Sequence, residues 1–153
     1  MASRRIVSAC VGSVGAILVL VGLAHNWLGL PSLQRAVARG DVASRIAEPQ
    51  LINWAFSGGA ISVLGLICLL NVGELRRGSR VAWRVNLLIG GFFLLVGTGA
   101  YLRTGNRGIL IFAGLGSLIV VPLLLGARDF RSEQPDNNEL QRTRPAQAME
   151  PRR

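Results

Sequence analysis

The residues best able to carry chemistry stand around two copies of the dipeptide Asn-Trp. His25 and Asn26 fall in LAHNWLGLP, Asn53 falls in LINWAFSGG, and Glu48 stands shortly before the second copy. An imidazole, two amides and a carboxylate offer hydrogen-bond donors and acceptors for a lipid headgroup, a small polar ligand or a partner helix. We take these four residues as a candidate ligand-binding cluster.

The sequence does not offer the residue sets that metal binding, disulfide formation or acid–base chemistry within the apolar runs would require. The two cysteines, Cys10 and Cys68, lie inside apolar runs and are too few for a metal cage or a disulfide framework. The central parts of the apolar runs contain no Asp, Glu, Lys or Arg, the side chains that proton relays, charge sensors and metal-assisted hydrolysis require. We expect no catalytic residues, no metal site and no cofactor.

The elements that must position these residues are long apolar runs. Half of the 153 residues are hydrophobic, and each run has about 20 residues or more, enough for a helix to cross a hydrocarbon core of ~30 Å. Short links between later runs favour antiparallel neighbours. The sequence predicts an all-α integral membrane protein, an up-down-up-down four-helix bundle at 1–131 with transmembrane helices at about 6–30, 51–72, 81–102 and 108–127.

The segments outside the runs are a polar linker and a polar tail. In the linker, Pro31 suits a first helical turn, Gly40 a helix stop and Asp41 an N-cap, which predicts one or two short interfacial helices. An irregular loop is the alternative. The tail at 132–153 has almost no apolar content, and we expect it to be disordered in the cytoplasm.

The distribution of arginine predicts the topology. Eight arginines fall on one side of the predicted bundle and five on the other, so the positive-inside rule places both termini in the cytoplasm. We expect the first span to be retained and not cleaved, and we expect no nucleic-acid partner despite a net charge of +9. The eight are Arg4, Arg5, Arg76, Arg77, Arg80, Arg84, Arg128 and Arg131, and the five are Arg35, Arg39, Arg45, Arg103 and Arg107.

Aromatic and small residues have simpler interpretations. Tryptophan and tyrosine are enriched at membrane boundaries, which also explains the polar residues beside them without a ligand. Small residues let helices approach closely, and Asn86 is expected to make an interhelical hydrogen bond. The predicted interface aromatics are Trp27, Trp54, Trp83 and Tyr101.

A resemblance follows from these features. A histidine late in the first span, an amphipathic linker with Gly40, an aromatic residue before SGG and two further glycine-rich spans resemble small, uncharacterised four-span bacterial integral membrane proteins. The similarity covers roughly 12–127 and excludes the tail. It implies the architecture and no activity.

Three functions are compatible with this sequence. The first is a non-catalytic accessory or interaction subunit of the bacterial inner membrane, which contacts the lipid bilayer and either a second copy of itself or another membrane protein. The second is an oligomeric channel or transporter for small solutes or lipids, with walls that include Ser57, Ser62, Thr98 and Ser117. The third is a membrane enzyme that uses His25 and Glu48.

Overall fold

The chain is built from helices throughout the part that the structure describes. The computed structural model describes residues 2–130, so the predicted tail lies outside the described residues. A π-helical turn at His25–Gly29 joins the first two helices, and 3-10 turns at Arg107–Ile109 and Ala127–Phe130 flank the last one. The α-helices are α1 (Ala2–Ala24), α2 (Leu30–Ala38), α3 (Ser44–Leu70), α4 (Val72–Arg77), α5 (Arg80–Thr104) and α6 (Leu110–Leu125).

Four helical stretches of residues 2–130 are long and apolar enough to cross a membrane. The prediction of an all-α fold with four candidate spans is therefore confirmed. The first stretch has 36 residues, or about 54 Å of helix, which exceeds an apolar core of ~30 Å. The stretches are Ser3–Ala38, Arg45–Arg77, Arg80–Thr104 and Arg107–Leu125.

The sequence suggested that the first span ends before Pro31, but the helix does not break there. Helix continues through the π-helical turn into α2. Proline has no N–H and cannot donate to the carbonyl of Trp27 four residues earlier, so the hydrogen-bond ladder must change close to this point. The π-helical turn ends two residues before the proline and accommodates that change within one continuous helical stretch.

Helix α2 ends where the sequence predicted, but α3 does not begin where it predicted. Gly40 adopts the left-handed conformation with φ +79°, which glycine allows and which stops the helix as predicted. The predicted N-cap Asp41 is wrong, because α3 begins at Ser44 after Ala43 and has no side-chain cap. Asp41 instead accepts a hydrogen bond from the Arg39 Nε at 3.0 Å. This exposed ion pair closes the turn between the two helices.

Helices α1 and α3 approach closely at matched glycines. A Cβ added at Gly65 would lie 2.7 Å from the Gly15 carbonyl oxygen, and one added at Gly22 would lie 2.5 Å from the Gly58 carbonyl oxygen. Both helices place glycine at the same seven-residue interval, so the antiparallel pair meets twice with backbone against backbone. Apolar surface has little reason to associate in lipid, and such close packing supplies the attraction.

Helices α5 and α6 form a second pair of the same kind. A Cβ at Gly97 would lie 2.5 Å from the Ala113 nitrogen, and one at Gly116 would lie 2.5 Å from the Gly90 carbonyl oxygen. Neither glycine accepts a side chain without movement of a backbone. The structure therefore consists of two tight antiparallel helix pairs.

The two pairs meet through α1 and α6, and the helices lie in the order α3, α1, α6, α5. The expectation that each helix packs on the next one along the chain fails for α3 and α5, which α4 links in sequence but which form no extensive interface. A Cβ at Gly126 would lie 3.1 Å from Val7, so small size again permits the approach. Side chains with zero exposure at this centre are Val11, Leu18, Ile119 and Leu123.

Asn86 is fully buried on α5 but does not make the predicted interhelical hydrogen bond. Its Nδ2 donates to the Ala82 carbonyl oxygen of the same helix at 2.7 Å. Its Oδ1 is buried without a hydrogen-bond partner in the described residues. The short amide reaches back to its own helix more easily than across the interface, because the carbonyl four residues earlier is adjacent.

Candidate functional site

A polar cluster joins the π-helical turn to α3. The His25 ring stacks on the Trp54 ring, with 4.3 Å between centroids and 12° between planes. The Trp54 indole N–H donates to the His25 backbone carbonyl oxygen at 3.1 Å. A Cβ at Gly29 would lie 2.6 Å from the Trp54 Nε1, so glycine is needed for the indole to reach this position.

Asn26 makes the second link between the π-helical turn and α3. Its Nδ2 donates to the Ala55 carbonyl oxygen at 3.1 Å. Its Oδ1 is buried without a hydrogen-bond partner in the described residues and lies against Gly58, where a larger residue would collide with the amide. The amide is thus held between two helices with one acceptor unused.

Ser57 completes the cluster beside His25. The Ser57 Oγ donates to the Trp54 carbonyl oxygen at 2.8 Å and lies 3.2 Å from the His25 Nε2. A hydroxyl has one hydrogen, so when both bonds form the Nε2 carries a proton and donates to the serine. A catalytic serine requires the opposite direction, with histidine accepting the hydroxyl proton. This pair has the spacing of a nucleophile and base, but while Ser57 donates to the Trp54 oxygen its proton is not directed at the histidine.

Glu48 and Asn53 occupy a different face of α3. Both line an open groove of about 570 Å³ with Pro49, Ile52 and Phe56. At about 100° per residue, Glu48, Ile52 and Phe56 lie about 100° or more around the helix from Trp54 and Ser57, and Asn53 lies at the edge of the groove nearest Ser57. The groove therefore faces away from α1 and the π-helical turn.

The four predicted ligand residues are thus divided between two surfaces. His25 and Asn26 lie at the interface of the π-helical turn with α3, whereas Glu48 and Asn53 are exposed in the groove. No hydrogen bond or ion pair joins His25 to Glu48 in the described part of the chain. The role of these residues in binding a ligand stays a prediction.

Sequence reasoning assigned Ser57 only to small residues and channel walls. Its polar contact with His25 has a weak signal in the sequence, since Ser57 follows Trp54 by three positions and shares a helix face with it. The sequence does not indicate that His25, on the π-helical turn, is the residue that Ser57 contacts. The distance from His25 to Ser57 depends on how the two helices pair.

The predicted interface aromatics have different surroundings. Trp27 is 83% exposed, while Tyr101 is half-buried near the end of α5. Trp54 and Trp83 are half-buried, and each uses its indole N–H on a neighbouring backbone carbonyl. For Trp83 the acceptor is the Leu123 oxygen at 2.9 Å. Trp54 and Trp83 therefore each link two helical segments through an indole hydrogen bond.

The predicted channel-wall hydroxyls also bond mainly to backbone. Ser57 donates to the Trp54 oxygen, Ser62 to the Gly58 oxygen at 3.1 Å and Ser117 to the Ala113 oxygen at 2.9 Å. Thr98 is exposed on α5. Within residues 2–130, no three His, Cys, Asp or Glu side chains cluster as metal ligands would.

Comparisons with protein-family models, curated proteins and solved structures found no match. The resemblance to small four-span bacterial membrane proteins accordingly stays an expectation. The function is inferred from the contacts of this chain's own residues.

Proposed function

We propose that the protein is a non-catalytic subunit of the bacterial inner membrane that associates laterally through the outward face of α3. The observation that carries this proposal is that the second span, which contains α3, has the smallest buried share of the four, 17% of its apolar window, and that Gly59 in its apolar part has open space around it. A Cβ added there would meet nothing within 4 Å. The partner surface is a membrane helix, either of a second copy or of another protein.

Glycine at an open helix position is costly for the chain alone. It destabilises a helix by about 0.5–1 kcal/mol relative to alanine. At Gly15 and Gly65 close packing of α1 on α3 offsets that cost, but Gly59 has no such contact within the chain. A second helix packed on this face would gain the close approach that glycine permits.

The surroundings of Gly59 suit a helix partner. Only 17% of the apolar window of the second span is buried, compared with 39%, 28% and 22% for the first, third and fourth. The second span, which contains α3, is therefore the least covered of the four. Large apolar side chains stand on both sides of the glycine and would pack around an incoming helix. They are Ile52, Phe56, Val63, Leu66 and Leu70, all at least half exposed.

The groove beside Phe56 adds polar recognition to this apolar face. Glu48 and Asn53 line it and are exposed, and an acceptor carboxylate with an amide provides the directional contacts that aliphatic packing lacks. A partner with an arginine or a serine at the corresponding depth would complement them. These two predicted ligand residues thus acquire a role in partner selection.

The cluster of His25, Asn26, Trp54 and Ser57 supports a non-catalytic role. Its donors are used on the helix backbone or on one another, which suits a fastening between the π-helical turn and α3. The histidine donates to the serine in the arrangement that satisfies both bonds. An acid–base function would require this network to open.

The proposed orientation has both termini in the cytoplasm. Seven described arginines lie toward the end of the bundle that holds the start of α1, and five lie toward the opposite end. Positive charge in short loops is retained on the cytoplasmic side. A reporter fused within 31–43 is expected to lie outside the cytoplasm and one at 78–79 inside it; the reverse assignment, or a common side, would contradict this topology.

Association is tested by comparing Gly59→Ile with Gly73→Ile after extraction into native nanodiscs. Both glycines have open space within the chain, but Gly73 lies on α4 outside the outward face of α3. Gly59→Ile is expected to lower the association constant roughly tenfold, because a contact of about 1–2 kcal/mol is lost, and Gly73→Ile is expected to leave it unchanged. Wild-type protein that is monomeric and without a protein partner at its native expression level would contradict the proposal.

A further inference from the structure

A partly enclosed cleft lies at the arginine-rich end of the bundle, far along the chain from the polar cluster. It has a volume of about 190 Å³ and is lined by Arg80, Trp83, Arg84, Ala127 and Phe130. At about 30 Å³ for each water in liquid, that is the space of roughly six waters. Two arginines and two aromatic residues therefore line one small cleft.

The aromatic walls of the cleft are held in position. The Trp83 indole N–H donates to the Leu123 carbonyl oxygen at 2.9 Å, one of the last carbonyls of α6 and therefore without a helical partner. Phe130 is 2% exposed, and the Arg4 guanidinium carbon lies 5.9 Å from its ring centroid. The walls thus come from α5 and from the turn after α6, and neither depends on a bound molecule.

The two arginines of the cleft are uncompensated in the described part of the chain. Arg80 and Arg84 are exposed, stand one turn apart on α5 and take no part in the ion pairs or side-chain hydrogen bonds of residues 2–130. The first turn of α5 contains no acidic residue. Cations here also face the positive end of the helix dipole, an arrangement that an anion would relieve.

We propose that this cleft binds the phosphate oxyanion of an anionic phospholipid or of a small phosphorylated solute. A guanidinium presents parallel N–H donors that match two oxygens of a phosphate, and two arginines at i and i+4 can grip one group from the same side. The aromatic rings would pack against the adjoining glycerol or carbon chain. Basic pockets between membrane helices characteristically hold anionic headgroups.

The inference is independent of the proposed association through α3, because the cleft uses only α5 and the turn after α6. Its test measures thermal unfolding of the full chain in neutral detergent with phosphatidylglycerol, phosphatidylcholine or inorganic phosphate added. Native mass spectrometry then counts the lipids retained. Phosphatidylglycerol is expected to raise the melting temperature and to remain bound, while phosphatidylcholine does neither.

The variants separate a specific site from general attraction between charges. Arg80→Gln with Arg84→Gln is expected to weaken phosphatidylglycerol binding by roughly tenfold or more, since both charge-assisted contacts are lost. The control, Arg103→Gln with Arg107→Gln, removes the same charge from the opposite end and should bind as the wild type does. Arg80→Lys with Arg84→Lys keeps the charge but loses the parallel N–H donors of the guanidinium groups, so an intermediate affinity for phosphatidylglycerol is expected.

Each result identifies the source of the phosphate or rejects the site. Stabilisation by phosphatidylglycerol alone, with dependence on Arg80 and Arg84, assigns the cleft to a lipid headgroup. Stabilisation by inorganic phosphate with the same dependence assigns it to a soluble phosphate compound. Equal losses in the two glutamine double variants, or no stabilisation by either probe, would overturn the proposal.

Discussion

The His25 ring lies parallel to the Trp54 ring at 4.3 Å, while the Trp54 indole N–H bonds to the backbone oxygen of the same histidine. The side chain and the main chain of one residue are therefore both held by a single tryptophan. This places the π-helical turn on α3 at the point where the first span leaves the apolar region. His25, the only histidine in the chain, thus helps to hold the π-helical turn against α3.

Trp54→Phe is expected to destabilise the fold more than Trp27→Phe. Phenylalanine keeps a ring beside His25 but cannot donate to its carbonyl oxygen, so about 1–2 kcal/mol of unfolding free energy should be lost. Trp27 is 83% exposed, and its replacement should change the value by less than about 0.5 kcal/mol. Unfolding in mixed micelles titrated with sodium dodecyl sulfate measures both. Equal effects would show that the indole hydrogen bond is unimportant.

Gly116→Ala and Gly114→Ala, two positions apart on α6, are expected to act in opposite directions. A Cβ at Gly116 would lie 2.5 Å from the Gly90 oxygen, whereas one at Gly114 would meet nothing within 4 Å. The first change should separate α5 from α6 at a cost of about 1–3 kcal/mol. The second should stabilise the helix by up to about 1 kcal/mol. The same unfolding titration decides, and a stabilising Gly116→Ala would contradict the packing described.

Asn86→Leu and Asn26→Leu are expected to differ although both asparagines have a buried Oδ1 without a partner. The Asn86 amide bonds only to a carbonyl of its own helix, so leucine removes an unsatisfied group and should be neutral or stabilise by about 1 kcal/mol. Asn26 links two helices through the Ala55 oxygen. Its loss should destabilise by about 1–2 kcal/mol. Thermal melting in detergent compares the two, and a strongly destabilising Asn86→Leu would reveal a partner for its oxygen.

Arg4→Gln is expected to loosen the arginine-rich end, whereas Arg5→Gln is not. The Arg4 guanidinium donates to the Arg77 carbonyl oxygen at 3.2 Å and also to the Asp129 carbonyl oxygen, so one side chain joins α1 to α4 and to the turn after α6. Loss of charge-assisted bonds to exposed helix-end carbonyls should cost about 1–3 kcal/mol. Hydrogen exchange at residues 75–79 and 126–130 measures the effect. Unchanged exchange there in Arg4→Gln would refute this role.

The apolar runs were sufficient to predict the helical class and the number of candidate spans. Length and hydropathy are local properties, and a run of about 20 apolar residues has few alternatives to a helix where water is absent. Gly40 was predictable for a similar reason, since its left-handed φ is a requirement of its own backbone. The N-cap at Asp41 failed because α3 begins three residues later, after Ala43, and the Asp41 carboxylate accepts from Arg39 instead.

The pairing of helices and the division of the candidate cluster were decided only by the tertiary structure. Short links suggested that α3 and α5 pack together, but the matched glycines of α1 with α3 and of α5 with α6 form the closest contacts. The sequence grouped Glu48 and Asn53 with His25 in one candidate cluster, yet they line a groove on another face of α3. Depth in the membrane follows from position along one helix. The face that a residue presents to a particular neighbour depends on which backbones can approach, and that is a property of two helices together.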